Sequence, residues 1–321
     1  MNPARTQRPT TASLGCSLAL FLVLLLAGCA PPPAWRSVPA VAKIGLVAPF
    51  EGVYRQTGYA ALDGLRAAIG TAPVGSPALL PLALDSSGEP QAAARATAKV
   101  LVDPAVRALI GPMRPDTAAG AAPALAATPR LWLLPYRLPF PPRPDDPHPA
   151  WAVGWVEAVW AQAQAQGAAG LVLAGWIPGW PRWSAAEWRT AVEGPVQPSD
   201  RPQDVAPDHA VLWLGTGEDA VAYLEVLWAR QPETPVWLTP WSADPVLVQR
   251  LQAAGLAWGA LQWGGWLGPD FPAWQEAHPG QSPLGYLTYW AGRAAVAHLR
   301  GAPGPDFAAW SFQFQPLERP P

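Results

Sequence analysis

The sequence predicts an α/β protein of two lobes, each a mostly parallel, doubly wound sheet flanked by helices. Three observations predict it. From Lys43 to Tyr136, short apolar runs alternate with helical periods across loops that carry glycine or proline. A Pro-rich break, Pro139 to Pro149, is followed by a second alternation of the same kind. Ahead of both lies a leader with a positive start, an apolar middle and a small-residue end.

The leader is set aside before any fold is read. Arg5 and Arg8 supply its positive charge, and Ser17 to Leu26 is its apolar segment. Ten residues are too few to span a hydrocarbon layer of about 30 Å as a helix. The segment ends Leu26-Ala27-Gly28-Cys29, which resembles the lipobox of bacterial lipoproteins. That resemblance implies a signal peptide over residues 1–28, cleavage before Cys29 and diacylglycerol on the Cys29 thiol. The competing readings are an ordinary secretory signal and an N-terminal anchor helix. A lipid anchor of two or more chains would hold the protein outside the cytoplasm at a membrane face. Residues 29–40 are a Pro-rich tether.

The two cysteines are Cys16 and Cys29. The exported domain therefore carries no free thiol, which excludes disulfides and thiolate metal sites. A net charge of −2 with no arginine run lacks the electrostatic footprint of a nucleic-acid binder. About 290 of the 321 residues follow the leader, enough for two lobes.

Val41 to Ala48 is a near-continuous apolar run, interrupted by Lys43, as expected of a buried parallel strand. Tyr59 to Ile69 sets Leu62, Leu65 and Ile69 on one helical face. Leu79 to Leu84 is a second strand, and Pro81 favours a sheet edge for it. Pro90 opens a helix through Val102. Val106 to Ile110, Thr117 to Ala127 and Leu131 to Leu134 read as strand, Ala-rich helix and strand. Beyond the break, Trp151 to Gln166, Ala220 to Arg230, Asp244 to Ala254 and Gly285 to Leu299 are helical. Gly170 to Ala174, Ala210 to Leu214, Val236 to Thr239 and Gly259 to Trp263 are short strands. Pro178 to Pro207 shows no period, and the tail from Gly301 is short.

Several of these stretches resemble the type I periplasmic binding proteins, and more narrowly the branched-chain amino acid (Leu/Ile/Val) receptors of ABC transporters. Ile44 to Gly52 with Gly58 and Asp63-Gly64, Asp85 with Glu89-Pro90, and Ala108 to Pro112 with Thr117 are similar to the first three β-α units of that family. Leu284 to Leu299 is similar to its late helix, which returns to the first lobe. The resemblance implies a clamshell, with residues 41–138 and 270–300 in the first lobe and 150–267 and 301–321 in a shortened second lobe. It implies a solute held in the crevice at the carboxyl ends of the strands and handed to an ABC permease. The family's small hydroxyl residues are replaced here by Met113-Arg114-Pro115-Asp116 and by Tyr136-Arg137, and only Thr117 keeps the type.

Arg114 and Arg137 follow neighbouring strands and suit a bidentate clamp on a carboxylate or phosphate. The competing reading is that they are rim charges or pair with Asp116 and Glu51. Asp116 or Glu51 would take an ammonium group. Among the nineteen tryptophans, Trp176 and Trp241 lie just past strand ends and suit a crevice wall, the alternative being core packing. Gly215 to Ala220 fits G-x-G-x-x-A, but Glu218 and Asp219 would repel a pyrophosphate, so no cofactor is expected. The four histidines have no metal-binding spacing and no nucleophile-base set is visible, so no metal site and no enzyme are expected.

The expected function is a membrane-tethered, extracytoplasmic receptor for an amino acid or similar small polar solute. Its expected ligand residues are Glu51, Tyr54, Arg114, Asp116, Thr117, Tyr136, Trp176 and Trp241. The alternative is an envelope lipoprotein resembling the penicillin-binding-protein activators, which works by protein contact and has a degenerate or empty cleft.

Overall fold

Two sheets carry the structure. The computed structural model describes residues 40–75, 77–139, 150–256 and 261–317. Cys16, Cys29, the tether up to residue 39 and residues 140–149 of the Pro-rich crossing lie outside the described residues. In the first half β1 (Val41–Ala48), β2 (Ala78–Asp85), β3 (Val106–Ile110) and β4 (Leu131–Leu133) alternate with α1 (Arg55–Gly70), α2 (Pro90–Val102) and α3 (Pro115–Ala126). The strands are all parallel, in the order β2-β1-β3-β4. Pro81 sits in β2 at the sheet edge, where its missing N–H breaks no ladder. Ile44, Leu46, Val47 and Ala48 of the central strand β1 are completely buried, as expected of a strand covered on both faces.

After α4 (Ala150–Ala165) the second half runs β5 (Gly170–Ala174), α5 (Ala185–Ala191), β6 (Val196–Pro198), β7 (His209–Trp213), α6 (Gly217–Arg230), β8 (Val236–Leu238), α7 (Pro245–Ala253) and β9 (Leu261–Leu267). The chain ends with α8 (Phe271–Ala277), α9 (Pro283–Leu299) and β10 (Ser311–Pro316). The second sheet has the order β10-β9-β8-β7-β5-β6, parallel except for β10 on β9.

Four elements differ from the sequence expectation. The patternless stretch contains α5, whose Ser184 and Glu187 form a reciprocal capping box, and β6. The tail supplies β10. The segment after β9 holds α8, with Phe271 buried.

The late helix α9 packs along α1, far from it in sequence. The contact is a close approach of two backbones: a Cβ at Gly64 would collide with the Gly285 carbonyl oxygen. Behind the first sheet, Val100, Leu109, Ala121 and Leu125 make a satellite core with α2 and α3. The main core is continuous from Ile44 in β1 to Trp310 before β10 and includes both sheets. From Val41 onward the contacts form one compact unit.

Candidate functional site

Parallel pairing places the carboxyl ends of the strands in each sheet along one edge, and the loops leaving those ends meet. The meeting is direct. Tyr136, in the turn after β4, lies 5.3 Å from Trp241, in the loop after β8, edge to face. Tyr54, at the start of α1, reaches the Thr216 side chain before α6. Gly179, with φ +88°, lies so close to the chain at Pro115 that a Cβ there would collide with the Pro115 carbonyl oxygen.

Each half stiffens its own loops first. Asp85 accepts from the Phe50 amide at 2.6 Å, the Glu51 amide at 3.3 Å and the Ser87 amide at 2.9 Å, tying together the loops after β1 and β2. Burial opposes its charge, but the Ser87 hydroxyl, which donates to it at 2.5 Å, and these amides prevail and hold its carboxyl below the usual range. In the second half, Ser242 donates to the Gly215 carbonyl at 2.6 Å and Trp241 donates to the Leu214 carbonyl at 3.0 Å.

The eight expected ligand residues divide by position. Tyr54, Arg114, Thr117 and Trp241 line one enclosed cavity with Thr57, Ser86, Met113 and Leu284. Tyr136 stands behind Trp241 and is buried, which raises its hydroxyl pKa. Glu51 is exposed and does not line the cavity. Trp176 lies apart, in a surface groove with Arg182, Trp183, Pro198 and Asp200.

Arg114 is committed. Its Nε donates to Asp116 at 3.0 Å, and one terminal nitrogen donates to Asp116 at 2.7 Å and to the Gly88 carbonyl at 2.6 Å. Its guanidinium also covers the Tyr54 ring at 4.9 Å. Burial alone would lower its pKa, but the bond to Asp116 outweighs that and raises it. Arg114 is 8% exposed and Asp116 7%, so Nε and one terminal nitrogen of the guanidinium are held within the first half by Asp116 and Gly88. Arg137 lies over the Trp151 ring at 5.3 Å. Thr117 donates to the Arg114 carbonyl and accepts from its amide, capping α3.

Trp151, Trp155, Trp180 and Trp241 interlock around Tyr136 with centroid separations between 4.9 and 6.1 Å. The cavity left between the halves measures about 10 Å³, room for the centre of about one water. Of its lining groups, the Thr57 hydroxyl is buried and lacks a partner.

Two residues that the sequence did not single out matter here. Thr57 is one. The other is Asp244, the N-cap of α7 and 2% exposed. Its Oδ1 accepts from the Val246 amide at 2.8 Å and the Leu247 amide at 3.0 Å, while Oδ2 lacks a partner. Burial pushes its carboxyl up to about 7 against the pull of those amides and of Arg114. The only advance signal was Asp-Pro at a helix start just past a strand. Among the described residues no His, Cys, Asp and Glu cluster is placed to hold a metal, and no helix is long and apolar enough to cross a membrane.

Two mostly parallel sheets with helices on their faces, strand ends opposed and the last described helix folded back on the first half define a type I periplasmic-binding-protein fold. Solved structures share it. A possible leucine/isoleucine/valine-binding protein from Rhodopirellula baltica matches at TM-score 0.57 and 16% identity, covering 85% of each chain. The isoleucine-bound branched-chain amino acid transporter substrate-binding protein of Streptococcus pneumoniae matches at 0.57 and 13%, over 82% of this chain and 85% of that one. An extracellular ligand-binding receptor from Verminephrobacter eiseniae matches at 0.58 and 15%, over 84% and 87%. No protein-family model and no curated protein matches the chain. At these identities the likeness establishes the fold.

Proposed function

We propose that the protein is an extracytoplasmic solute receptor of an ABC-type uptake system, held to the membrane by lipid on Cys29. It binds an amino acid or similar small polar solute where the two sets of strand ends meet. The observation that carries this reading is the opposed pair of loop sets, Tyr54, Arg114 and Thr117 on one side and Trp241 on the other, around a buried unpartnered Thr57 hydroxyl. The two halves act as lobes hinged at the Pro-rich crossing and near residues 267–271. With about 10 Å³ between them the shell is shut. A solute enters only after the Tyr136–Trp241 contact parts, and it then displaces part of the aromatic packing.

The filled crevice and the Arg114–Asp116 pair favour a second reading, an envelope protein that acts by protein contact through a degenerate cleft. A thermal-shift panel of amino acids and small polar solutes on the full-length protein in detergent separates the two. A solute at a hundred times its Kd adds about 2.7 kcal/mol, several degrees for a chain of this size. A panel with no shift on well-folded protein refutes the receptor reading, and co-purification with a membrane enzyme then supports the second.

A further inference from the structure

The first sheet has a second edge, opposite the crevice. Its four strands are parallel, so their amino ends lie together there, with the loops that follow α1, α2 and α3. Helix α9 ends on the same edge. Gly285 meets Gly64 and Gly292 meets Ala68, so α9 runs in the direction of α1, and Arg300 donates to the Pro73 carbonyl.

This edge is basic. Lys43, Lys99, Arg107, Arg130 and Arg300 stand on it against one described acid, Asp103, in a chain whose net charge is −2. Lys43 pairs with Asp103 at 2.7 Å, and Arg130 donates to the neighbouring Leu101 carbonyl at 2.6 Å, so those charges are contiguous. Lys99, in the last turn of α2, and Arg107, in β3, are exposed. The edge also carries bare apolar tips. Val74 and Val102 are the two most exposed large apolar side chains among the described residues, and Val41 is exposed as well. Grouped exposed apolar side chains mark a contact surface. The tether enters here, because residue 40 leads directly into β1.

We propose that this edge is a docking face for the anionic headgroups of a phospholipid leaflet. The three valines enter the headgroup layer, and the basic side chains lie against lipid phosphate. The occupant follows from charge and from the tether. The twelve residues 29–40 reach at most about 40 Å when extended, so lipid on Cys29 keeps this edge close to the leaflet. Within about a Debye length, ~8 Å at physiological salt, each basic group near an anionic surface favours docking by roughly fivefold. The proposal rests on the anchoring at Cys29 for proximity alone. Docked this way, the crevice at the opposite edge stays open to water.

Amide hydrogen exchange tests it, with the full-length protein on vesicles of phosphatidylcholine and on vesicles one third phosphatidylglycerol, at low salt. Residues 71–75 and 101–107 should exchange at least threefold more slowly on the anionic vesicles, while the crevice loops 50–54 and 86–88 are unchanged. Molar sodium chloride, which cuts the Debye length to ~3 Å, should abolish the difference. The double variant Lys99→Gln with Arg107→Gln, and separately Val74→Ser, should reduce the slowing at 101–107; all three positions are exposed, so the fold is kept. Equal exchange on the two vesicles overturns the proposal, as does equal slowing at both edges or slowing that survives the double variant. Flotation with phosphatidylcholine vesicles reads the anchoring separately: a chain that does not float refutes the anchor, and the comparison on anionic vesicles still decides the face.

Discussion

Raising the pH from 5 to 7 should destabilise this protein through a single carboxyl, that of Asp244. Folded, Asp244 keeps its proton up to about pH 7, whereas its ordinary value is 3.8. Between those values the folded state holds one proton more than the unfolded state, so stability falls as pH rises. The effect is absent below the lower value and levels off above the upper. Each unit of difference is worth about 1.36 kcal/mol, so the whole interval amounts to roughly 4 kcal/mol and the span from pH 5 to 7 to about 2.7 kcal/mol. Asp85, Asp103 and Asp208 are shifted the opposite way and act at more acidic pH. Asp244→Asn removes the titration and keeps a residue able to cap α7. Urea unfolding of parent and variant at half-unit steps from pH 5 to 8 measures the difference. The parent should lose stability relative to the variant through pH 7 and run parallel to it above. Two curves parallel throughout would refute the assignment of a buried, proton-retaining Asp244.

Arg114→Ala leaves the Asp116 carboxylate buried and unpaired and should cost about 3–5 kcal/mol, whereas Arg114→Ala with Asp116→Ala should cost less than Arg114→Ala alone. A double cycle by urea unfolding checks this, and strict additivity would contradict the pairing. Gly179→Ala forces a side chain onto a φ of +88° and into the Pro115 carbonyl, so the halves should separate slightly at that point. Faster amide exchange near residues 113–117 reports it, and unchanged exchange contradicts the close approach. Trp241→Ala should cost about 3–5 kcal/mol, as loss of a buried indole does, and should enlarge the crevice enough to take small solutes that the parent excludes.

The sequence read the parallel core well for a physical reason. β1, β3 and β7 are buried over most of both faces, so their runs are mostly apolar, broken only by Lys43, Arg107 and His209, and do not depend on partners. β10 was harder. Ser311-Phe-Gln-Phe-Gln-Pro alternates with period two, yet it is short and lies against a strand it follows by more than forty residues. α5 carried its capping box in plain view at Ser184 and Glu187, but the surrounding proline and tryptophan hid the helical period. At the site, spacing after strands was enough to bring Arg114 and Trp241 to the crevice. It allowed a pairing with Asp116, two residues along, but could not decide that Asp116 takes Nε and one terminal nitrogen of Arg114. The buried oxygen of Asp244 was not legible, because it lies against Gly217 at the start of α6, distant in sequence.

The packing of α9 along α1 has a consequence for how the protein is made. The stripe of Ala61, Leu65 and Ala68 is sealed by a segment more than two hundred residues downstream. Until α9 has been synthesised, α1 has nothing to lie against, so a nascent first half expressed alone should stay open and prone to aggregate. The first half can be secured only once the segment that carries α9 has emerged.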